Sequence, residues 1–245
     1  MLPQICKADF KVTSYMADFQ NRLRLSMLLG LQQETAFQHA AVLIREYGPP
    51  SAEASFWVTT QSWTTVTRLP SVNEHIHIET WLRHHSRLVC RRNFAVTSSE
   101  GEPLAQTAMD WVVLSAATRR PLRVDAWPVD RGLFLESPLG EIEGRRMTPF
   151  PEILPSYQRV VRYSEIDLNK HVNNTRYIDW ILDSFDLDFL AQKKISHMHL
   201  CYKQECTLGN RLTILKGKVS ADEYYLEAHL DHAESPAFQA MVTFT

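Results

Sequence analysis

Apolar residues recur along this chain with two periods, and the order in which those periods alternate is its first structural information. From Asn21 to about Ile44, residues Leu25, Leu28, Leu29, Ala36, Ala40 and Leu43 fall at helical spacing, with Gly48-Pro49-Pro50 as the stop. Four runs rich in β-branched and aromatic residues follow: SFWVTTQSWTTVT (55–67), EHIHIETWLR (74–83), RLVCRRNFAVTS (87–98) and PLAQTAMDWVVLS (103–115). Turn residues such as Pro70-Ser71 and Glu100-Gly101 separate them, so they predict an antiparallel meander. The second half repeats the order, with a short strand at 158–163, a helix from about Asn174 to Leu187, and strands near 196–206, 211–219, 223–231 and 237–244.

Between the halves, Thr118–Pro155 holds six of the twelve prolines and three of the eight glycines. Proline removes ladder donors and breaks helices, which predicts an irregular connector. The expected division is an N-terminal domain at 1–125, a Pro-rich linker at 126–155 and a C-terminal domain at 156–245. Sliding one half on the other by 149 residues lays Ser14–Gln20 on Tyr163–Asn169 without gaps, Asp18 on Asp167, and then helix on helix. A long helix wrapped by an antiparallel meander is the pattern of a hotdog fold. The expected class is therefore α+β, with two tandem hotdog domains forming a pseudo-dimer in one chain.

Composition narrows the function. Twenty-six Lys and Arg against 28 Asp and Glu leave a formal charge of -2, so no whole-chain attraction to nucleic acid or anionic membrane is expected. The longest apolar run, Ala40–Ile44, is far short of the roughly 20 residues a membrane helix needs. The first residues lack the pattern of a secretory or transit signal, and a cytoplasmic setting is expected. Cys6, Cys90, Cys201 and Cys206 show neither CxxC nor zinc-type spacing and read as reduced thiols. His75, His77 and Glu79 alternate on one strand, but no third or fourth ligand comes with recognisable spacing, so no metal and no cofactor are expected. The basic pairs Arg91-Arg92, Arg119-Arg120, Arg145-Arg146 and Lys193-Lys194 read as solvated surface.

The most informative segment is RYSEIDLNKHVNNTRYIDW, Arg162 to Trp180. Asp167, Asn169 and His171 stand at i, i+2 and i+4, so an extended backbone would put all three on one face with Leu168 on the other. Asn173 or Asn174 suits an N-cap, and free amides at the helix start are expected to hold a developing oxyanion. A second segment, MHLCYKQECTLGNRL (198–212), carries Glu205 and Cys206 at the end of an expected strand. Glu205 suits a general base, with a raised pKa if partly buried. Cys206 is a further candidate nucleophile. Adjacent strand residues face opposite ways, so only one of the two should line the site, and Glu205 is preferred.

DxNxHVNNxxYxxW from Asp167 to Trp180, followed by YKQEC (Tyr202–Cys206), resembles the acyl-acyl carrier protein thioesterase family, with weaker support from QQETAFQHA (Gln32–Ala40) and TRRPLR (Thr118–Arg123). The resemblance implies a double hotdog with one active site in the second half, where Asp167, Asn169, His171 and Glu205 match the family's catalytic positions. The first half carries Asp18, Gln20 and Arg22 instead, and is expected to form the acyl-binding wall, with Trp57, Trp63, Leu28 and Leu31 as substrate contacts. The implied reaction is hydrolysis of acyl-acyl carrier protein to free fatty acid, with the acyl carrier protein as partner and pairing with a second copy left open. An acyl-CoA thioesterase and a non-catalytic acyl-binding module are the alternatives.

Overall fold

The N-terminal ICKADFK alternates in burial and forms an outer strand, β1 (Ile5–Lys11), which sequence periodicity had not singled out because its polar positions are half of a short run. The computed structural model that shows this describes residues 3–125, 127–135, 147 and 150–245. After β1 come α1 (Leu25–Tyr47), β2 (Ser55–Val66), β3 (His75–His85), β4 (Val89–Ser98) and β5 (Pro103–Ser115). The helix starts four residues later than expected and runs three residues further, to a cap at Gly48 with φ 75°, a conformation that favours glycine. The five strands of this unit pair antiparallel, in the order β1-β3-β4-β5-β2.

The second unit holds β6 (Leu154–Val160), α2 (Arg176–Leu182), α3 (Leu187–Gln192), β7 (Ile195–Tyr202), β8 (Arg211–Lys218), β9 (Glu223–Leu230) and β10 (Phe238–Phe244). Its order is β6-β8-β9-β10-β7, again antiparallel. Counted within each unit, both sheets run first, third, fourth, fifth, second. The duplicated order of elements in the sequence is thus a duplicated topology, and each unit is a helix-and-sheet α+β body of the hotdog kind.

Two differences from expectation have local causes. The single helix expected over 174–187 is two short helices, because the Asp186 carboxylate accepts from Phe189 N–H (2.7 Å) and starts a new one. Strand β6 begins at Leu154 and includes Pro155, which a strand at the end of a sheet order tolerates; a register shift follows between Pro155 and Tyr157.

The chain clusters into compact units at Met1–Glu143 and Gly144–Thr245. Residues 126, 136–146, 148 and 149 of the expected linker, including the Arg145-Arg146 pair, lie outside the described residues. The part that is described packs on the first unit. Trp127, Val129 and Leu133 join Leu43, Leu82 and Cys90 in one buried cluster, and Trp127 Nε1 donates to Gly48 O (2.9 Å).

In the first unit, α1 buries Leu25, Leu28, Leu29 and Leu43, each contributing roughly 2 kcal/mol on burial. Gln32, Thr35 and His39 are buried on the same helix. Arg92 is buried as well and donates to His39 Nδ1 (2.9 Å), so Arg91-Arg92 is not a solvated pair; its other member is bound to Asp110 (2.7 and 2.8 Å). The second unit buries Tyr177, Ile178, Trp180 and Ile181 from α2, and Tyr177 meets Phe238 and Tyr202 edge-on.

Candidate active site

The segment from Asp167 to His171 does not run extended. After a 3-10 turn at Tyr163–Glu165, the chain bridges Ile166 to Val172 and folds the residues between into a tight turn. Asp167 N–H donates to His171 O (2.9 Å), Lys170 N–H donates to Asp167 O (3.0 Å), and Lys170 adopts φ 66°. The turn, rather than strand alternation, brings Asp167 and His171 together. His171 Nδ1 stands 3.5 Å from Asp167 Oδ2, with both side chains largely buried. Asn169 enters this arrangement through its backbone N–H, which donates to Asp167 Oδ1 (2.8 Å), and the residue itself is exposed, as is Leu168. An aspartate at this place serves the turn and the histidine at once.

Glu205 reaches the same neighbourhood by a different route. Strand β7 stops at Tyr202, so Glu205 and Cys206 lie in the loop after it and not on a strand as expected. Lys203 N–H and Gln204 N–H both donate to Ala237 O (2.9 and 3.1 Å), and Gly209 N–H donates to Val161 O (3.1 Å), which pins the loop at both ends. The decisive contact is Val172 N–H to Cys206 O at 2.8 Å. It ties the residue after His171 to the residue after Glu205.

The two candidates in this loop differ in burial. Glu205 is exposed. Cys206 is completely buried, burial pushes its thiol pKa up, and it contacts the Tyr177 hydroxyl. A protonated, enclosed thiol is a poor nucleophile. The Tyr177 hydroxyl is held well above its ordinary pKa, first by burial and then by its proximity to Cys206.

The expected helix-start amides are spent locally. Thr175 N–H and Thr175 Oγ1 donate to Asn173 Oδ1 (3.0 and 2.7 Å), and Arg176 N–H donates to Asn173 O (2.9 Å). Asn173 is therefore a turn residue before the helix, whose N-cap is Thr175 with no side-chain cap bond.

The first unit contains the same turn. Asp18 N–H donates to Arg22 O (2.7 Å), Asn21 N–H donates to Asp18 O (3.1 Å), Ala17 bridges to Leu23, and Asn21 adopts φ 63°. Every one of these lies 149 residues before its counterpart. Its side chains differ: Asp18 Oδ2 accepts from Arg22 Nε and Nη2 (3.2 and 3.1 Å), an ion pair where the second unit has an aspartate beside a histidine.

The expected substrate contacts occupy different settings in the first unit. Leu28 is wholly buried on α1, and Leu31 is half-buried. Trp57 packs beside Leu43 and Trp127, with its ring 5.9 Å from that of Trp127. A register shift between Thr59 and Gln61 inserts one residue, so Trp63 turns to the opposite face, where Arg91 lies over its ring at 4.7 Å. On β3, His77 pairs with Asp9 and Glu79 with Lys7 across to β1.

Sequence reasoning passed over the cluster of Glu165, Arg159 and Trp180, in which Glu165 accepts from both of the others. Glu165 and Arg159 had a readable signal, since Met16 and Phe10 stand 149 residues earlier, where a repeat without the histidine has no such pair.

Comparison with known proteins follows the same division. Residues 3–127 match the acyl-ACP thioesterase N-terminal domain, and residues 155–244 match the acyl-ACP thioesterase C-terminal domain. A chloroplastic palmitoyl-acyl carrier protein thioesterase of Gossypium hirsutum is 28% identical over 221 residues, 81% of this chain and 51% of that protein. One from Arabidopsis thaliana is 25% identical over 231 residues, 89% and 56% of the two chains. The chain thus spans about half the length of the curated relatives it matches. Among solved structures, an acyl-ACP thioesterase from Bacteroides thetaiotaomicron superposes with TM-score 0.83 at 25% identity, covering 99% of this chain and 98% of that one. The 12:0-ACP thioesterase of Umbellularia californica shares the fold, with TM-score 0.81 at 20% identity over 99% and 94% of the chains. With both domain models matched in order over most of its length, the chain belongs to the acyl-ACP thioesterase family.

Proposed function

We propose that this protein hydrolyses the thioester of acyl-acyl carrier protein, releasing a free fatty acid and the carrier's thiol. The observation that carries the reading is the 2.8 Å hydrogen bond from Val172 N–H to Cys206 O, which sets Glu205 beside the turn holding Asp167 against His171. Glu205 takes a proton from water, and the resulting hydroxide attacks the thioester carbon. His171 and Asn169 orient the water and the carbonyl, and Asp167 holds the imidazole in place. Collapse of the tetrahedral intermediate breaks the carbon–sulfur bond, and the proton held by Glu205 passes to the departing thiolate. Cys206 takes no part in bond making, because it is enclosed and protonated. In the first unit, Trp57, Trp63, Leu28 and Leu31 are the proposed acyl contacts, read out by the chain-length profile of their alanine variants.

The test is thiol release from acyl carrier protein and CoA thioesters of several chain lengths. We expect turnover with a preference for the carrier protein, and loss of turnover in Glu205→Ala. Saturable acyl binding with no thiol release from any thioester would sink the enzyme reading and leave a binding module.

A further inference from the structure

Strand β6, the turn before the catalytic loop and helix α2 converge on one carboxylate. The Glu165 side chain is only 12% exposed. Its Oε1 accepts from Trp180 Nε1 (2.7 Å) and from Arg159 Nη2, and its Oε2 accepts from Arg162 N–H (2.7 Å). The Arg159 guanidinium lies over the Trp180 ring, 4.0 Å from its centroid. The backbone of Glu165 also closes the neck of the catalytic loop, because its carbonyl accepts from Asn173 N–H at 2.8 Å.

We propose that Glu165, clamped between Arg159 and Trp180, is a positioning residue for the hydrolysis, holding the loop that carries Asp167, Asn169 and His171 in register with Glu205. This rests on the thioesterase reading. The argument comes from a control built into the chain. The first unit folds the same loop, with the same hydrogen bonds and the same positive φ at Asn21, yet has Phe10, Met16 and Leu31 at the positions of Arg159, Glu165 and Trp180. The loop backbone therefore does not need the clamp in order to form. A nearly buried ion pair is a weak source of stability, since desolvation offsets much of its attraction. Its value lies in geometry. A carboxylate with three fixed donors holds the neck of the loop against α2 and β6, and reacting groups tolerate displacements of well under 1 Å. The clamp is present in the copy of the loop that keeps the histidine and missing from the copy that has lost it.

The experiment measures kcat, KM and melting temperature for hydrolysis of an acyl carrier protein thioester by the native chain, Glu165→Ala, Glu165→Gln, Arg159→Leu and Met16→Ala. Glu165→Ala is expected to lower kcat by about 10-fold to 100-fold with KM changed less than about twofold. Glu165→Gln keeps a carbonyl acceptor for Trp180 and should recover part of that loss, while Met16→Ala should match the native kcat. A folded Glu165→Ala with native kcat, whatever its melting temperature, would overturn the proposal. Should Glu165→Ala fail to fold, a folded Arg159→Leu with native kcat would do so equally. No hydrolysis by the native chain would bring down the thioesterase reading and this inference together, whereas native turnover with an unimpaired Glu165→Ala brings down this inference alone.

Discussion

Residues Thr13–Leu23 of the first unit and Arg162–Val172 of the second close the same turn with the same backbone donors and acceptors, and only their side chains separate them. In the first, Arg22 and Asp18 neutralise one another in an internal ion pair. In the second, Asp167 Oδ2 stands 3.5 Å from the imidazole Nδ1 of His171. The same scaffold thus holds an arginine–aspartate ion pair in one copy and an aspartate beside a histidine in the other. Backbone geometry in this protein follows from the repeat, while chemistry depends on a few positions the repeat leaves free.

The helix–sheet interiors diverge in the opposite sense. Behind the loop that lacks the histidine, α1 buries Gln32, Thr35 and His39, and His39 meets the buried Arg92, which also donates to Thr80. Behind the loop that has it, α2 buries Tyr177, Ile178, Trp180 and Ile181, with Tyr177 edge-on to Phe238 and Tyr202. An apolar, aromatic interface of this kind has few alternative packings. The first interior is charged, and burial together with the adjacent Arg92 lowers the His39 pKa from its usual 6.5 to about 4.

The strongest way to break the comparison is to make the second loop a copy of the first. His171→Arg should let Asp167 form the ion pair seen at Asp18 and leave the fold intact. Hydrolysis should fall by about 10³-fold, as in Glu205→Ala, measured by thiol release beside circular dichroism. Next in size is an acid effect. His39 is neutral in the fold and charges in the unfolded chain once the pH drops below about 6.5. The unfolded state then binds more protons between pH 6.5 and about 4, and stability falls with pH across that window. The loss attached to His39 approaches roughly 3 kcal/mol at the acid end. His199, also lowered to about 4 by burial first and by Lys203 second, adds a contribution from the other unit. Urea unfolding between pH 7 and 4 should therefore show His39→Gln removing part of the slope, and an unchanged slope would contradict the assignment.

Smaller effects sharpen the contrast. Cys206→Ala should cost about 1 kcal/mol through the space left beside Tyr177, with kcat within about twofold of native. A collapse of kcat in a folded Cys206→Ala would restore the thiol as nucleophile. Arg22→Ala removes the ion pair of the first unit's loop and should cost under about 1 kcal/mol, with thiol release unchanged.

The sequence by itself determined the duplication, the α+β order of elements and the two segments proposed to carry the chemistry. Periodicity registers which residues must be buried, and both copies bury a helix on a meander. It placed the offset of 149 residues correctly, since the hydrogen bonds and positive φ angles of the two loops obey it. It misjudged the local path in both chemical segments. Asp167, Asn169 and His171 read as alternating strand residues, and Glu205 read as the end of a strand, but both segments are turns held by backbone bonds to distant residues. Ala237 and Val161 are such partners, and no local pattern announces them. The same holds for Arg92, where one of two adjacent arginines that look alike in sequence enters the core because its strand face points at His39. Which side of a pleat a residue takes, and which far carbonyl receives its amide, are set only when the strands pair, and that pairing let the Val172 N–H reach Cys206 O.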